Sequence, residues 1–366
     1  MFSPNIFLFI SLLCRTNYQA LDQRRGYFTT FALLACGADV NIADSRGFTA
    51  FHRAIFDKRT LFYIRWLLKK AGPDGTARTN RSETVLHLLA QRGAPWGDTF
   101  NSIVSYFLNS FVSHFVHTGA EVDAIDVDGA TPLSYAAMAG HKSIVDALLR
   151  VRANPNCFDV NGATPLYYAA NAGHNSIVKA LLQAGANPNV YDGIRKLPLH
   201  TAVEHSFRDI VKMLLRSEAN ADAFDSDCNC PLHLAVAIMG GNEFVRILIQ
   251  NRCTIDLRDR NGATALHHAA GKGDNVNINT LLDAGANVNI QDEFGMTPLH
   301  YSVTVPYPNA IVTLESLFQG VPDLNIRDRH ERTALQHAVM KDAHLEIVYL
   351  LIRRNPMTFL AEVNFD

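Results

Sequence analysis

The chain has 366 residues, more than one ordinary globular domain needs. Its 35 acidic and 33 basic residues nearly cancel, which argues against nucleic acid or an anionic membrane as the main partner. Hydrophobic residues make up 48%, enough for a packed core, and six cysteines lie scattered without a disulfide framework, as suits a reducing compartment.

In chain order, residues 1–13 hold the apolar run Ile6–Leu13, far short of the roughly 20 residues that span a bilayer. The expectation is an apolar extension covering the open face of the first structural unit. A secretory signal is the alternative, although no Lys or Arg precedes the run and no small-x-small site comes after it.

From about residue 14 the chain repeats itself. Gly129-Ala130-Thr131-Pro132-Leu133, Ala136-Ala137, Gly140-His141, Ile144-Val145, Leu148-Leu149, Asn154-Pro155-Asn156 and Asp159 begin again at Gly162 after 33 residues. The Thr position recurs at Thr16, Thr49, Thr84, Thr131, Thr164, Leu197, Cys230, Thr264, Thr297 and Thr333, at spacings of 33, 35, 47, 33, 33, 33, 34, 33 and 36. A period of this kind decides the architecture before any other signal.

Each part of the unit has a physical role. Thr131 caps a helix whose first residue, Pro132, has no N–H to leave unpaired. Leu133, Ala136 and Ala137 make a narrow apolar face, and Gly140-His141 breaks that helix. Ile144, Val145, Leu148 and Leu149 then come at helical spacing. Gly185 and Gly285 end the second helix in sister units, and Asn189 with Asp192, or Asn289 with Asp292, favour a turn. Such a helix–turn–helix unit with a projecting β-turn cannot bury its apolar face alone, so it stacks.

These elements resemble ankyrin repeats over about residues 14–355. The resemblance implies an all-α solenoid of about ten units, ending in a tail or cap at 356–366. It implies no single function, because the family serves many unrelated partners.

The irregular units carry the remaining information. Unit 82–128 takes 39 positions from Thr84 to Asp123 where a regular unit takes 25. The excess lies within Ala94–Phe115, with Trp96, Phe100, Tyr106, Phe107, Phe111 and Phe115. Such an insertion either lengthens the second helix and packs on neighbours, or faces a partner; Trp96 and Phe100 are its candidate contacts. Gly240-Gly241 adds one residue to the seventh unit, and Pro306-Tyr307-Pro308 should remake the inter-helix turn of the ninth.

Six histidines fall in one column, at His52, His87, His200, His233, His267 and His300. Helices stack about 8–10 Å apart, so column neighbours cannot share an ion needing ligands near 2 Å. The family's Thr-Pro-Leu-His implies a structural hydrogen-bonder instead. Cys228-Asn229-Cys230 lacks a second ligand pair, and Cys230 stands where the capping Thr belongs. No phosphate loop, nucleophile elbow, zincin or kinase signature is present. The expectation is a non-enzyme without catalytic residues, cofactor or metal.

Partner contacts are expected where the repeat leaves residue choice free. Two positions after the turn Asn or Asp, the column reads Phe158, Tyr191, Phe224, Arg258, Gln291 and Arg327, with Arg260 and Arg329 two further on. Aromatics and arginines are the usual interface anchors. Either they take an extended partner with an apolar and an acidic part, or the rings cover their own turns and the arginines pair with Asp259 and Asp328. Asn41 and Asn289 resemble turn asparagines that asparaginyl hydroxylases modify, or are simple repeat consensus.

The expected function is a cytoplasmic or nuclear scaffold or adaptor binding a protein on its concave face and β-turn edge, monomeric, without nucleic acid or a membrane span. The alternatives are the recognition arm of a larger enzyme or channel, and a secreted ankyrin effector resting on Ile6–Leu13.

Overall fold

The computed structural model describes residues 39–57, 64, 67–68, 72, 74–93, 102–341 and 343–354, the side chains of 102–107 excepted. These residues are helices joined by turns, with no strand among them. They fall into two compact units, one ending at Asn187 and one beginning at Pro188. The expectations for residues 1–13, for Trp96 and Phe100, and for the tail at 356–366 lie outside the described residues.

The first unit contains α1 (Ala50–Phe56), α2 (Val85–Arg92), α3 (Ser102–His117), α4 (Pro132–Ala139), α5 (Lys142–Arg150), α6 (Pro165–Asn171) and α7 (Asn175–Gln183). Helices α1, α2, α4 and α6 pack in sequence as the first helices of their repeats; α3, α5 and α7 pack as the second. Thr131 accepts the Ser134 N–H at 3.3 Å and Thr164 accepts the Tyr167 N–H at 3.2 Å, the expected caps. Gly140 ends α4 at φ +81°, a left-handed conformation that glycine adopts without strain. Helix α5 buries Ile144, Val145, Ala147 and Leu148. Burying each of the larger three contributes roughly 1.5–3 kcal/mol, which stacking alone makes available.

The inserted unit lengthens its second helix, as one of the two expectations had it: α3 runs 16 residues where α5 runs 9. Phe111 and Phe115 are fully buried, with ring centroids 4.8 Å apart, and Phe115 meets Phe51 edge-on at 5.5 Å. These two aromatics belong to the core.

The second unit contains α8 (Pro198–Glu204), α9 (Arg208–Arg216), α10 (Pro231–Ala237), α11 (Asn242–Gln250), α12 (Ala265–Lys272), α13 (Asn275–Asp283), α14 (Pro298–Ser302), α15 (Asn309–Phe318), α16 (Ala334–Met340) and α17 (Leu345–Arg354). First helices α8, α10, α12, α14 and α16 stack in order, and α11, α13, α15 and α17 likewise. The extra residue at Gly240-Gly241 comes after α10; a β-carbon on Gly241 would run into the Ala235 carbonyl. Pro306-Tyr307-Pro308 shortens α14 to 5 residues, and Tyr307 stacks on His344 at 4.0 Å.

One core position breaks the pattern. Where α9 buries Ile210 and α11 buries Phe244, α13 buries Asn277 completely. Its Nδ2 donates to Asp274 Oδ2 at 2.7 Å, but its Oδ1 is buried without a hydrogen-bond partner.

Candidate turn-tip recognition edge

The projecting turns are built around a buried or half-buried aspartate. Asp159 Oδ1 accepts the N–H groups of Asn161 at 2.9 Å and Ala163 at 3.0 Å, and Asp126 does the same for Asp128 and Ala130, both at 3.0 Å. The other oxygen takes a donor from the next helix. Tyr135 donates to Asp126 at 2.7 Å, Tyr168 to Asp159, and Tyr301 to Asp292 at 2.7 Å. His268 and His337 fill the same position against Asp259 and Asp328, each at 2.8 Å. Two backbone donors plus one side-chain donor satisfy the carboxylate and fix the turn. At Asp328 the added Arg332 guanidinium and the N–H bonds hold the carboxyl well below its usual range, outweighing its burial.

Adjacent turns are clamped to each other. Asn156 Oδ1 accepts the Asn187 N–H at 2.7 Å, and its Nδ2 donates to the Gly185 carbonyl at 3.1 Å. Asn41, with Asp74 N–H at 2.9 Å and Gly72 O at 3.2 Å, repeats this clamp. So does Asn189, with Asn220 N–H at 2.7 Å and Glu218 O at 3.0 Å. Asn289 Oδ1 accepts the Asp323 N–H at 2.8 Å. Asn41 and Asn289, the candidate hydroxylation sites, therefore hold the same position and bond as the rest of the column. At the tips, Val127 N–H donates to Arg81 O and Val160 N–H to Asp128 O, both at 3.1 Å.

On this scaffold the free column sorts into two kinds of residue. Three of its polar members reach for the backbone of the next turn. Arg258 donates to the Gln291 carbonyl at 3.3 Å, and Gln291 to the Arg327 carbonyl at 2.9 Å. Arg78, a member that sequence reasoning missed, donates to the Ile125 carbonyl at 3.0 Å. Arg327 turns back to Glu331 O at 2.6 Å, and Arg260 binds Ser226 O at 2.7 Å. His268 holds Asp259, Arg332 and His337 hold Asp328, and Arg260 lies 3.7 Å from Asp227. Arg329 is exposed beside them.

Ile125, Phe158 and Phe224 have no donor for such a bond, and Tyr191 has only its phenolic hydroxyl. In the first unit Phe158 is 66% exposed and Ile125 more than half exposed. In the second, Tyr191 is 39% exposed, with Arg195 5.9 Å from its ring, and Phe224 is half-buried. Val127, Val160, Ile194 and Phe294, also more than half exposed on turns, were not anticipated. The signal was available: an apolar residue directly after a turn aspartate, or next to the turn glycine, has no core to enter.

The histidine column is structural. His267 Nδ1 accepts the Thr264 N–H at 3.0 Å, so its proton sits on Nε2, which donates to Met296 O at 3.1 Å. His87 and His300 do the same with Ala130 O at 3.1 Å and Arg332 O at 3.2 Å. Each ring accepts the N–H of its own repeat's Thr only while neutral, since protonation of Nδ1 removes that acceptor. Burial pushes the imidazoles of His52, His233 and His267 down to about 4. Cys230 Sγ lies 3.1 Å from His233 Nδ1 in the capping position, its thiol pushed up to about 11 by burial, and Cys228 occupies the turn at φ +61°. Among the described residues no group of three or more His, Cys, Asp or Glu is placed to hold a metal, and no helix is long and apolar enough to cross a membrane.

Repeated helix pairs, capped turns and a Thr-x-x-His column define a repeat protein. Residues 100–192, 193–259, 232–314 and 266–359 match the family model described as ankyrin repeats, in three copies. The chain belongs to the ankyrin repeat family. An ankyrin repeat protein of fowlpox virus is 35% identical over 116 residues, 30% of this chain and 33% of that protein. The human transient receptor potential cation channel subfamily A member 1 is 30% identical over 109 residues, 29% of this chain and 9% of the channel. The solved ankyrin repeat domain of Bcl-3, a member of the IkappaB family, matches with a TM-score of 0.54 and 25% identity, covering 64% of this chain and all of that domain. The matches to the fowlpox protein and the channel span a third or less of their length. Ankyrin repeats mediate protein–protein interaction, and none of these relatives is described as an enzyme.

Proposed function

We propose that this chain is a non-catalytic scaffold or adaptor that binds a protein partner along its turn tips. One observation carries the reading: polar members of the turn column bond the neighbouring turn, whereas Ile125 and Phe158 lie exposed on clamped backbone. An exposed aromatic costs solvation free energy with no compensating contact in the free chain, and burying it on a partner recovers that free energy. In the first unit the partner meets the apolar members Ile125 and Phe158. In the second it meets Tyr191 and Phe224, and an acidic stretch meets Arg258, Gln291 and Arg327 with Arg260 and Arg329.

The test is proximity labelling in native cells, comparing the intact chain with the Phe158→Ser/Tyr191→Ser/Phe224→Ser variant. Partners lost from the variant support the reading. Identical labelling, with both chains equally folded, contradicts it. The same cells, fractionated, test the cytoplasmic placement.

A second reading makes this array the recognition arm of a larger enzyme or channel. It is favoured by the channel match, in which the similar stretch is 9% of a much longer chain. Immunoblotting of the native protein decides it: a species far above 40.5 kDa supports the arm, and one at that mass contradicts it.

A further inference from the structure

Helices α16 and α17 leave open a face that the earlier repeats of the second unit bury. Val339 is 56% exposed, whereas Val203, Val236, Ala270 and Val303, in the same repeat position, are at most 3% exposed. Leu335 and Val348 are half-buried, whereas Leu299 and Leu314, one repeat earlier, are at most 1% exposed. Along α17 the open face continues through Leu345, Val348, Tyr349 and Ile352, which at i, i+3, i+4 and i+7 make one apolar stripe. Leu345 is 84% exposed and Tyr349 66%, and Tyr349 stands where α9, α11 and α15 carry Lys212, Arg246 and Glu315. A position that is solvated in the sister helices is apolar here.

The sequence after Arg354 supplies an occupant. Pro356 has no N–H with which to continue α17, so the sequence favours a stop at the end of that helix. From there the apolar side chains alternate as Met357, Phe359, Ala361, Val363 and Phe365. Thr358, Glu362, Asn364 and Asp366 lie between them, with Leu360 the exception. A period of two puts all five on one side of an extended chain. At about 3.3 Å per residue they span about 26 Å, against about 15 Å for the ten residues of α17. That is enough to run back along the stripe and reach α16.

Charge and tethering point the same way. Residues 355–366 carry Glu362 and Asp366 and no Lys or Arg, while 334–354 carry Lys341, Arg353 and Arg354 against Asp342 and Glu346. A segment joined directly to α17 also competes at an effective concentration on the order of millimolar, which favours it over a second copy.

We propose that residues 355–366 fold back as an extended strap over the face formed by Leu335, Val339, Leu345, Val348, Tyr349 and Ile352. The strap closes the stack and buries apolar surface that otherwise faces water.

The test places the photo-cross-linker p-benzoylphenylalanine at position 359 of the full-length chain. Mass spectrometry is expected to find it joined to residues 334–354 of the same molecule. Hydrogen exchange supplies a second readout. In Phe359→Ser/Val363→Ser the amides of α16 and α17 exchange about tenfold faster or more, while those of α9 and α11 keep their protection. Leu360→Ser, on the other side of the alternating run, leaves all of them unchanged. Cross-links to a second copy or outside 334–354, or none at all, overturn the proposal. So does exchange that the double variant does not alter, or that Leu360→Ser accelerates equally.

Discussion

Asn156 holds the turn that contains Asn187: its carbonyl oxygen accepts the Asn187 N–H at 2.7 Å while its amide donates to Gly185 O at 3.1 Å. One short side chain thereby closes both a helix end and a turn in the next repeat, which is why this position alternates only between Asn and Asp in the regular units. Asn156→Ala removes both bonds and leaves the Asn187 N–H to water. The expected loss is about 1–2 kcal/mol, read as a lower midpoint in urea unfolding. Asn156→Asp keeps the acceptor and should lose less.

The same geometry bears on modification. The carboxamide of Asn41 is bonded at both ends, and that of Asn289 holds the next turn. An enzyme acting on either side chain must first open a clamp between repeats. Both asparagines are therefore expected unmodified in the native protein. Peptide mass spectrometry checks this, and one added oxygen at either site would contradict it.

The imidazole column predicts acid sensitivity. His52, His233 and His267 have their ordinary value of 6.5 lowered to about 4 by burial, and His87, His200 and His300 shift the same way. Between pH 6.5 and 4 the unfolded chain binds protons that the folded chain does not. Stability is therefore fully present above pH 6.5 and falls as the pH drops towards 4. Each of the three contributes on the order of 2–3 kcal/mol of this loss. Urea midpoints across the range measure it, and His267→Gln should flatten the slope.

Asn277 predicts a gain. It fills a position that Ile210 and Phe244 occupy in sister helices, with its Oδ1 buried and unbonded. Asn277→Ile removes that unsatisfied group and adds apolar burial, for an expected stabilisation of about 1–3 kcal/mol. A thermal midpoint that rises checks it.

Cys228 predicts a smaller gain. It stands at φ +61° where Gly129, Gly162 and Gly262 serve other turns. Cys228→Gly relieves roughly 1 kcal/mol of left-handed strain, which the same melting experiment resolves.

Much of this was legible in the sequence because a 33-residue period exposes what each position must do. Caps at Thr131 and Thr164, the breaking glycine Gly140 and the lengthened helix before Phe115 all arise from local propensity and spacing. The site was less legible. Arg258 and Gln291 look like free surface residues because their acceptors are backbone carbonyls one repeat away, which no side-chain pattern reveals. Ile125, Val127 and Val160 were missed for the opposite reason: aliphatic residues read as filler until their exposure is seen. Asn277 hid among the consensus asparagines, although it sits in a helix rather than a turn.

The most direct test is the affinity of a captured cellular partner, purified and titrated against the intact chain and Phe158→Ser by calorimetry, with thermal midpoints measured alongside. The account predicts binding weakened about tenfold or more with a nearly unchanged midpoint, because Phe158 is 66% exposed and little of its ring is buried in its own fold. Equal affinity for both chains, or a midpoint that falls along with the affinity, would contradict it.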